Sequence, residues 1–216
     1  MTQFAAFVDA GFLKGQGARR LGVSVRDLHI RPDACVQWAK AMARDRGGDL
    51  LRVYWYDGAF DPKDPRHSSQ RQYFDVIRLC PGIQMRLGHL QEVTPGWQHQ
   101  IKKAIETCGW DLAEFERHFQ FRPKLEQKGV DTLIVLDIVR MAQRSIYDAA
   151  ILVSGDRDIA QAVSVAQDEG KHLIVAHPGG GGVATELRFI ADEVLVITDD
   201  DLRAMLEPKS TGTASP

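Results

Sequence analysis

Residues 149–197 read AAILVSGDRDIAQAVSVAQDEGKHLIVAHPGGGGVATELRFIADEVLVI. Ala149–Val153 is a short apolar run closed by Ser154-Gly155, which suits a strand. Ile159–Ala166 follows as a helix closed by Gly170, then His172–Ala176 as a strand, Glu186–Ala191 as a helix and Val194–Ile197 as a strand. Strand and helix alternate throughout. The expected fold is therefore α/β, with three layers in Rossmann-like arrangement: an open, mostly parallel sheet with helices on both faces. In such sheets the ligand site lies beyond the carboxyl ends of the strands.

The same grammar extends toward the N-terminus. Gln3–Val8 is an apolar run too short for a helix, so it reads as a buried strand that delivers Asp9 to the sheet edge. Pro32, followed by Val36, Ala39, Met42 and Ala43 at helical spacing, starts a helix that Gly47-Gly48 ends. Leu50–Tyr56 is a strand, after which Asp57-Gly58, Pro62 and Pro65 break the chain. Tyr73, Val76, Ile77 and Cys80 form a helical stripe stopped by Pro81-Gly82, and Ile83–Leu90 is the next strand. Val130–Ala142 is apolar almost all round and predicts a buried helix.

Between these segments, residues 94–128 are irregular, and they read as an insertion or lid within a single domain over residues 1–206. Aromatic residues from Trp97 to Phe121 alternate there with Lys102, Lys103, Arg122 and Lys124, a mixture suited to stacking on bases and contacting phosphates. Residues 207–216, rich in Ser, Thr, Gly and Pro from Lys209 on, are expected to be a disordered tail.

Composition narrows the function. Twenty-seven Lys and Arg against 29 Asp and Glu exclude the blanket basicity of a nucleic-acid coat protein but leave room for a local basic groove. No apolar run approaches the ~20 residues of a membrane span, and no secretory signal is legible, so a cytoplasmic protein without a membrane partner is expected. Three widely spaced cysteines without a CxxC argue against a disulfide framework or thiolate zinc site. Scattered histidines and the lack of a GxSxG elbow disfavour zinc and serine hydrolases.

What remains is acidic. Asp9 ends the first strand, Asp156 and Asp158 follow the strand Ala149–Val153, and Asp131 begins the apolar helix, so all four are expected at one sheet edge. Crowded carboxylates repel, and a divalent cation such as Mg²⁺ or Mn²⁺ supplies the compensating charge and can activate water for phosphodiester hydrolysis. Each also has a plain structural reading, as a turn or helix N-cap. Asp137, mid-helix among apolar neighbours, must face that cluster or pair with a cation such as Lys128. Gly179–Gly182 lacks the Lys-Ser/Thr of a P-loop and reads as a flexible loop.

In order along the chain, Phe7-Val8-Asp9-Ala10-Gly11-Phe12-Leu13, Arg52–Asp57, Arg86-Leu87-Gly88, Lys128-Gly129-Val130-Asp131 with Asp137, and Ser154-Gly155-Asp156-Arg157-Asp158 resemble the NYN domain family of PIN-like nucleases, in its LabA-like branch. The resemblance spans about Gln3–Asp201. It implies a PIN-like sheet, an acidic pocket for Mg²⁺ or Mn²⁺ made by Asp9, Asp131, Asp156 and Asp158, supporting roles for Asp137, Lys128 and Ser154, and cleavage of RNA, single-stranded by expectation. Many relatives carry Asn shortly after the first Asp, where this chain has Phe12 and Leu13; that change bears on rate more than on metal binding. A haloacid-dehalogenase-type phosphatase needs a second Asp where Gly11 stands, and a toprim-type site wants Glu where Asp9 stands. The rival from another class is a non-catalytic RNA-binding regulatory module, and a homo-oligomer is compatible with either reading.

Overall fold

The apolar runs that open the chain and its last third lie side by side. In the computed structural model, which describes residues 1–93, 95–118 and 124–208, the order is β1 (Thr2–Asp9), α1 (Ala10–Leu21), β2 (Leu28–Ile30), α2 (Pro32–Asp45), β3 (Gly48–Ala59), α3 (His67–Leu79) and β4 (Ile83–Val93). It continues through α4 (Gly96–Thr107), α5 (Leu112–His118), β5 (Lys124–Lys128), α6 (Val130–Gln143), β6 (Ala149–Val153), α7 (Ala160–Asp168), β7 (His172–His177), α8 (Thr185–Ile190), β8 (Glu193–Val196), α9 (Asp199–Met205) and β9 (Leu206–Pro208). The residues expected to form the tail, from Lys209 on, lie outside the described part of the chain, whereas Glu207 and Pro208 belong to β9.

Seven strands form one sheet in the order β5-β4-β3-β1-β6-β7-β8, and β2 pairs antiparallel with β9 in a second, small sheet. Within the large sheet every pair is parallel except β4 with β5. β1 and β6 run in register from Phe4↔Ala149 to Val8↔Val153, both buried on both faces, which is why they read as unbroken apolar runs. Alternation along β1 sorts the core into two layers. Phe4, Ala6 and Val8 pack with Leu13, Val36, Phe74 and Leu202 of α1, α2, α3 and α9. Ala5 and Phe7 pack with Ile134, Val163 and Leu187 of α6, α7 and α8. From β1 the chain builds outward through β3 and β4, then returns to β6 and builds the other way, so the strand order reverses between β1 and β6. That reversal opens a crevice at the carboxyl ends of the two central strands.

Three local expectations change, and one element is added. β3 does not break at Asp57-Gly58, because the ladder to β4 continues through Asp57↔Leu87, Gly58↔Gly88 and Ala59↔His89, and ladder pairing overrides turn propensity. The helix Val130–Gln143 is not buried all round: Leu136 is 58% exposed while Ile134, Ile138 and Met141 face the core. In the stretch 94–128, Lys124–Lys128 is a strand of the main sheet, and only Ile83–His89 of β4 pairs with β3. Leu90–Val93 thus pairs with β5 alone, as a two-stranded ribbon that passes beyond the carboxyl edge and carries α4 and α5 in its connection.

The added element is α1, whose glycine-rich sequence AGFLKGQGARRL carries little helical signal. It is held by docking. A Cβ on Gly17 would stand 2.4 Å from Leu206 Cδ1, so the missing side chain is what lets β9 lie against the helix. Gly17→Val is expected to lower stability by about 1–3 kcal/mol through overpacking, and Leu206→Ala in the same chain to return part of that loss. Urea unfolding of the wild type, both single variants and the double variant measures it; strictly additive losses would remove this contact as the cause.

Candidate active site at the carboxyl edge

Asp9 is both cap and candidate ligand. As the last residue of β1 it has extended backbone (φ −73°, ψ 104°), and its Oδ1 accepts from the Phe12 N–H at 2.9 Å, which starts α1. It is 7% exposed. Burial pushes its carboxyl up to about 7 against the pull of the Phe12 N–H, and the charges of Asp131 and Asp57 push the same way.

Asp131 sits in the first turn of α6, half-buried, where the helix dipole favours an anion. Desolvation raises its carboxyl, and Asp156 and then Asp158 add to the rise. Those two residues lie exposed in the turn after β6. Asp156 caps the short 3₁₀ turn Arg157–Ile159 by accepting from the Asp158 N–H at 2.9 Å, while the fully buried Ser154 offers its Oγ to the Asp156 N–H at 3.4 Å. Gly155 makes the turn possible: a Cβ there would stand 2.0 Å from the Gly182 carbonyl oxygen and 2.5 Å from the Phe12 ring. The glycine loop 179–182 is thereby packed against the acidic turn, and the Ala184 N–H donates to the Gly155 carbonyl at 2.9 Å.

The structure thus gathers Asp9, Asp131, Asp156 and Asp158 as a line of neighbours. Asp9 feels Asp131, and Asp131 feels Asp156 and Asp158. Among the described residues, no three His, Cys, Asp or Glu side chains are placed to hold one metal ion together. The donor chemistry, hard carboxylate oxygens, suits Mg²⁺ or Mn²⁺.

Sequence reasoning missed two members of this edge. Asp57, read as a chain break, extends the acidic line on the far side of Asp9; burial raises its carboxyl to about 6, against the lowering pull of the Gly58 N–H, Lys14 and Gln127. Gln127 of β5 donates from Nε2 to Asp57 Oδ1 at 3.2 Å, and its amide fills the space that a side chain at Gly11 would occupy. Strand alternation carries the signal for Asp57: Val53, Trp55 and Asp57 share one face of β3.

Asp137 stands apart from that line, and its expected partner is wrong. Lys128 pairs with Glu126 at 3.0 Å. Asp137, 5% exposed, takes Tyr56 Oη at 2.9 Å, Arg86 Nε at 3.1 Å and Arg140 Nη2 at 2.9 Å. The reason is geometric: Lys128 precedes the helix on β5, whereas Arg86 comes from β4 beneath α6 and Arg140 lies one turn along it. Asp137→Ala should cost about 3–5 kcal/mol by stranding that network, while Lys128→Ala should stay within about 0.5 kcal/mol of wild type. Equal losses in chemical denaturation would contradict the assignment.

The segment expected to grip nucleic acid is only partly a basic surface. Lys102 of α4 bonds Glu116 of α5 at 2.8 Å, and Lys103 is exposed. Arg122 lies outside the described residues, as does the side chain of Lys124.

The raised Asp9 carboxyl has a thermodynamic consequence. Between its ordinary value of 3.8 and about 7, the folded chain binds more protons than the unfolded chain, so stability falls as pH rises through that window and levels off above it. Asp9→Asn keeps the cap oxygen and removes the charge. The variant should gain on the order of a few kcal/mol over wild type at pH 8 and nothing near pH 3.5, with denaturant unfolding across pH as the measurement. A difference that does not vary with pH would contradict the burial argument.

The NYN domain profile matches residues 22–198. An uncharacterized protein y4oD of Sinorhizobium fredii is 35% identical over 98 residues, 42% of this chain and 46% of that protein, so the match spans less than half of that relative. The low amplitude and bright protein LabA of Synechococcus elongatus is 26% identical over 159 residues, 74% of this chain and 68% of that protein. A crystal structure of a Vibrio parahaemolyticus protein of unknown function, VPA0982, shares the fold with a TM-score of 0.58 at 20% identity, covering 95% of this chain and 96% of that one. The chain belongs to the NYN domain family of PIN-like nuclease domains to which its motifs pointed, and LabA is among the proteins it is similar to.

Proposed function

We propose that the protein is a metal-dependent ribonuclease that hydrolyses phosphodiester bonds in single-stranded RNA, with Mg²⁺ or Mn²⁺ held by Asp9, Asp131, Asp156 and Asp158. The observation that carries this reading is Asp9, a carboxylate buried at the crevice where the strand order reverses, with acidic neighbours on both sides. When bound, the cation lowers the pKa of the attacking water and steadies the leaving oxygen. The chain's own residues do the placing. Asp9 is fixed by its cap to Phe12, Asp131 by α6, and the turn bearing Asp156 and Asp158 by Ser154 and Gly155. The Asp137 network pins α6 to β3 and β4, and so sets the height of Asp131 over the edge.

One observation favours the second reading, an RNA-binding module without catalysis: no three of the described acidic side chains converge on one point. Labelled single-stranded RNA separates the two. Cleavage in Mn²⁺ or Mg²⁺, abolished by EDTA and by Asp9→Asn or Asp156→Asn, is the expected result. In the same buffers Mn²⁺ should stabilise the wild type, by about 2.7 kcal/mol at a hundredfold excess over Kd, and stabilise Asp131→Asn less. RNA binding with no cleavage and no Mn²⁺-induced rise in melting temperature would establish the regulatory module instead.

A further inference from the structure

Asp9 faces α6, but Asp57, one position beyond Asp9's strand partner Tyr56, faces the opposite layer. There it forms part of the wall of a cavity of about 480 Å³ between the first turn of α1, β2 and α3. The size is that of a small-ligand site. Its lining includes three aromatic rings, Phe60, Tyr73 and Phe74, and two cations, Lys14 from α1 and Arg66 from the loop before α3.

The cavity is built rather than incidental. Gln70 of α3 donates from Nε2 to the Gly58 carbonyl at 2.8 Å and accepts the Phe60 N–H at 2.8 Å, which ties the strand end and the Phe60 segment to the helix. Arg66 is held over the Phe60 ring, 4.3 Å from its centroid, by Asp64 and Glu92. Tyr73 is braced by His29, with ring centroids 5.8 Å apart. Aromatic and guanidinium planes with a nearby ammonium match a flat heterocycle that carries an anion. A carboxylate has about four acceptor positions; Gly58 N–H and Gln127 take up Asp57 Oδ1, and the Trp55 side chain also acts on the carboxylate. The remaining acceptor capacity suits the amino edge of a base.

We propose that this cavity is a nucleotide subsite, holding a base with an exocyclic amino group from the RNA residue next to the scissile phosphate, with Lys14 on the phosphate side. It rests on the ribonuclease reading for its place in the reaction, not for the binding itself. The shared wall explains the placement: Ala10 and Gly11 follow Asp9 directly and line the cavity, so a strand seated there crosses the sheet edge at Asp9.

The test is titration of AMP, CMP, GMP and UMP into the full chain in EDTA by calorimetry, where catalysis plays no part. A short single-stranded RNA should then be displaced by the mononucleotide that binds tightest. Phe60→Ala removes a wall, and Ser69→Trp, on the exposed start of α3, fills the mouth; each should weaken mononucleotide binding by about five- to a hundredfold while melting temperature confirms folding. UMP should be the weakest of the four, and UMP binding as well as the others would overturn the assignment of Asp57. Absence of mononucleotide binding in a chain that cleaves RNA with Mn²⁺ would overturn the subsite and leave the nuclease standing. Pocket-dependent binding in a chain that cleaves nothing would support the subsite and remove the nuclease. Binding unchanged in both variants, or a bound mononucleotide that fails to displace RNA, would overturn the inference, the latter assigning the cavity to a free nucleotide.

Discussion

A carboxylate at the buried end of a central parallel strand is the constraint from which the rest of this structure follows. Asp9 has little water, and the backbone N–H groups of Phe12 and Gly11 do not offset the desolvation that lifts it to about 7. A protein indifferent to that cost would place a neutral cap here, since Ser or Asn satisfies a helix N-terminus as well as Asp does. Two further acids bring the cost higher, and one of them, Asp131, is itself raised by Asp156 and Asp158. The edge is therefore organised around negative charge and not merely tolerant of it.

Much of the supporting architecture serves to hold that edge in place. α6 has to present Asp131 above β1, and the buried Asp137 locks it there by bonding Tyr56 of β3 and Arg86 of β4, the two strands on which α6 rests. The cost of burying Asp137 is met by three donors, two of them cationic, which is the condition under which a buried charge is sustained. Across the crevice, the turn after β6 is compressed between Phe12 and the glycine loop, with Gly155 the point at which backbone meets backbone. β5 closes the third side, and through Gln127 it reaches Asp57 and the start of α1.

The parts of this arrangement legible in sequence are those encoded by local pattern. Buried parallel strands write unbroken apolar runs, so β1, β6 and β7 could be placed to within a residue or two, and the acids at their ends with them. α1 was not legible because its stability comes from contacts with Leu206 of β9 and Gln127 of β5, far away in sequence, which its glycines permit and do not announce. Asp57-Gly58 reads as a turn by composition, and only the partner strand β4 makes it extended. The partner of Asp137 was misread for the same reason: Lys128 is near in sequence, whereas Arg86 is near in space.

Strand alternation links the two halves of the edge. In parallel register Asp9 stands beside Tyr56, so Asp57 necessarily points through the opposite face of the sheet. Asp9 and Asp57 nevertheless feel one another, because at the last residue of a strand the sheet no longer separates its two faces. The acidic line under α6 and the aromatic cavity under α1 and α3 are thus two sides of one rim, joined by backbone that β1, β3 and β4 hold rigid. Any polyanion that follows the carboxylates toward β3 has to pass Lys14, which sits in the first turns of α1 and lowers the Asp57 carboxyl by its charge. A chain with a formal charge of −2 needs few cations if they stand where the acidic edge meets an open cavity.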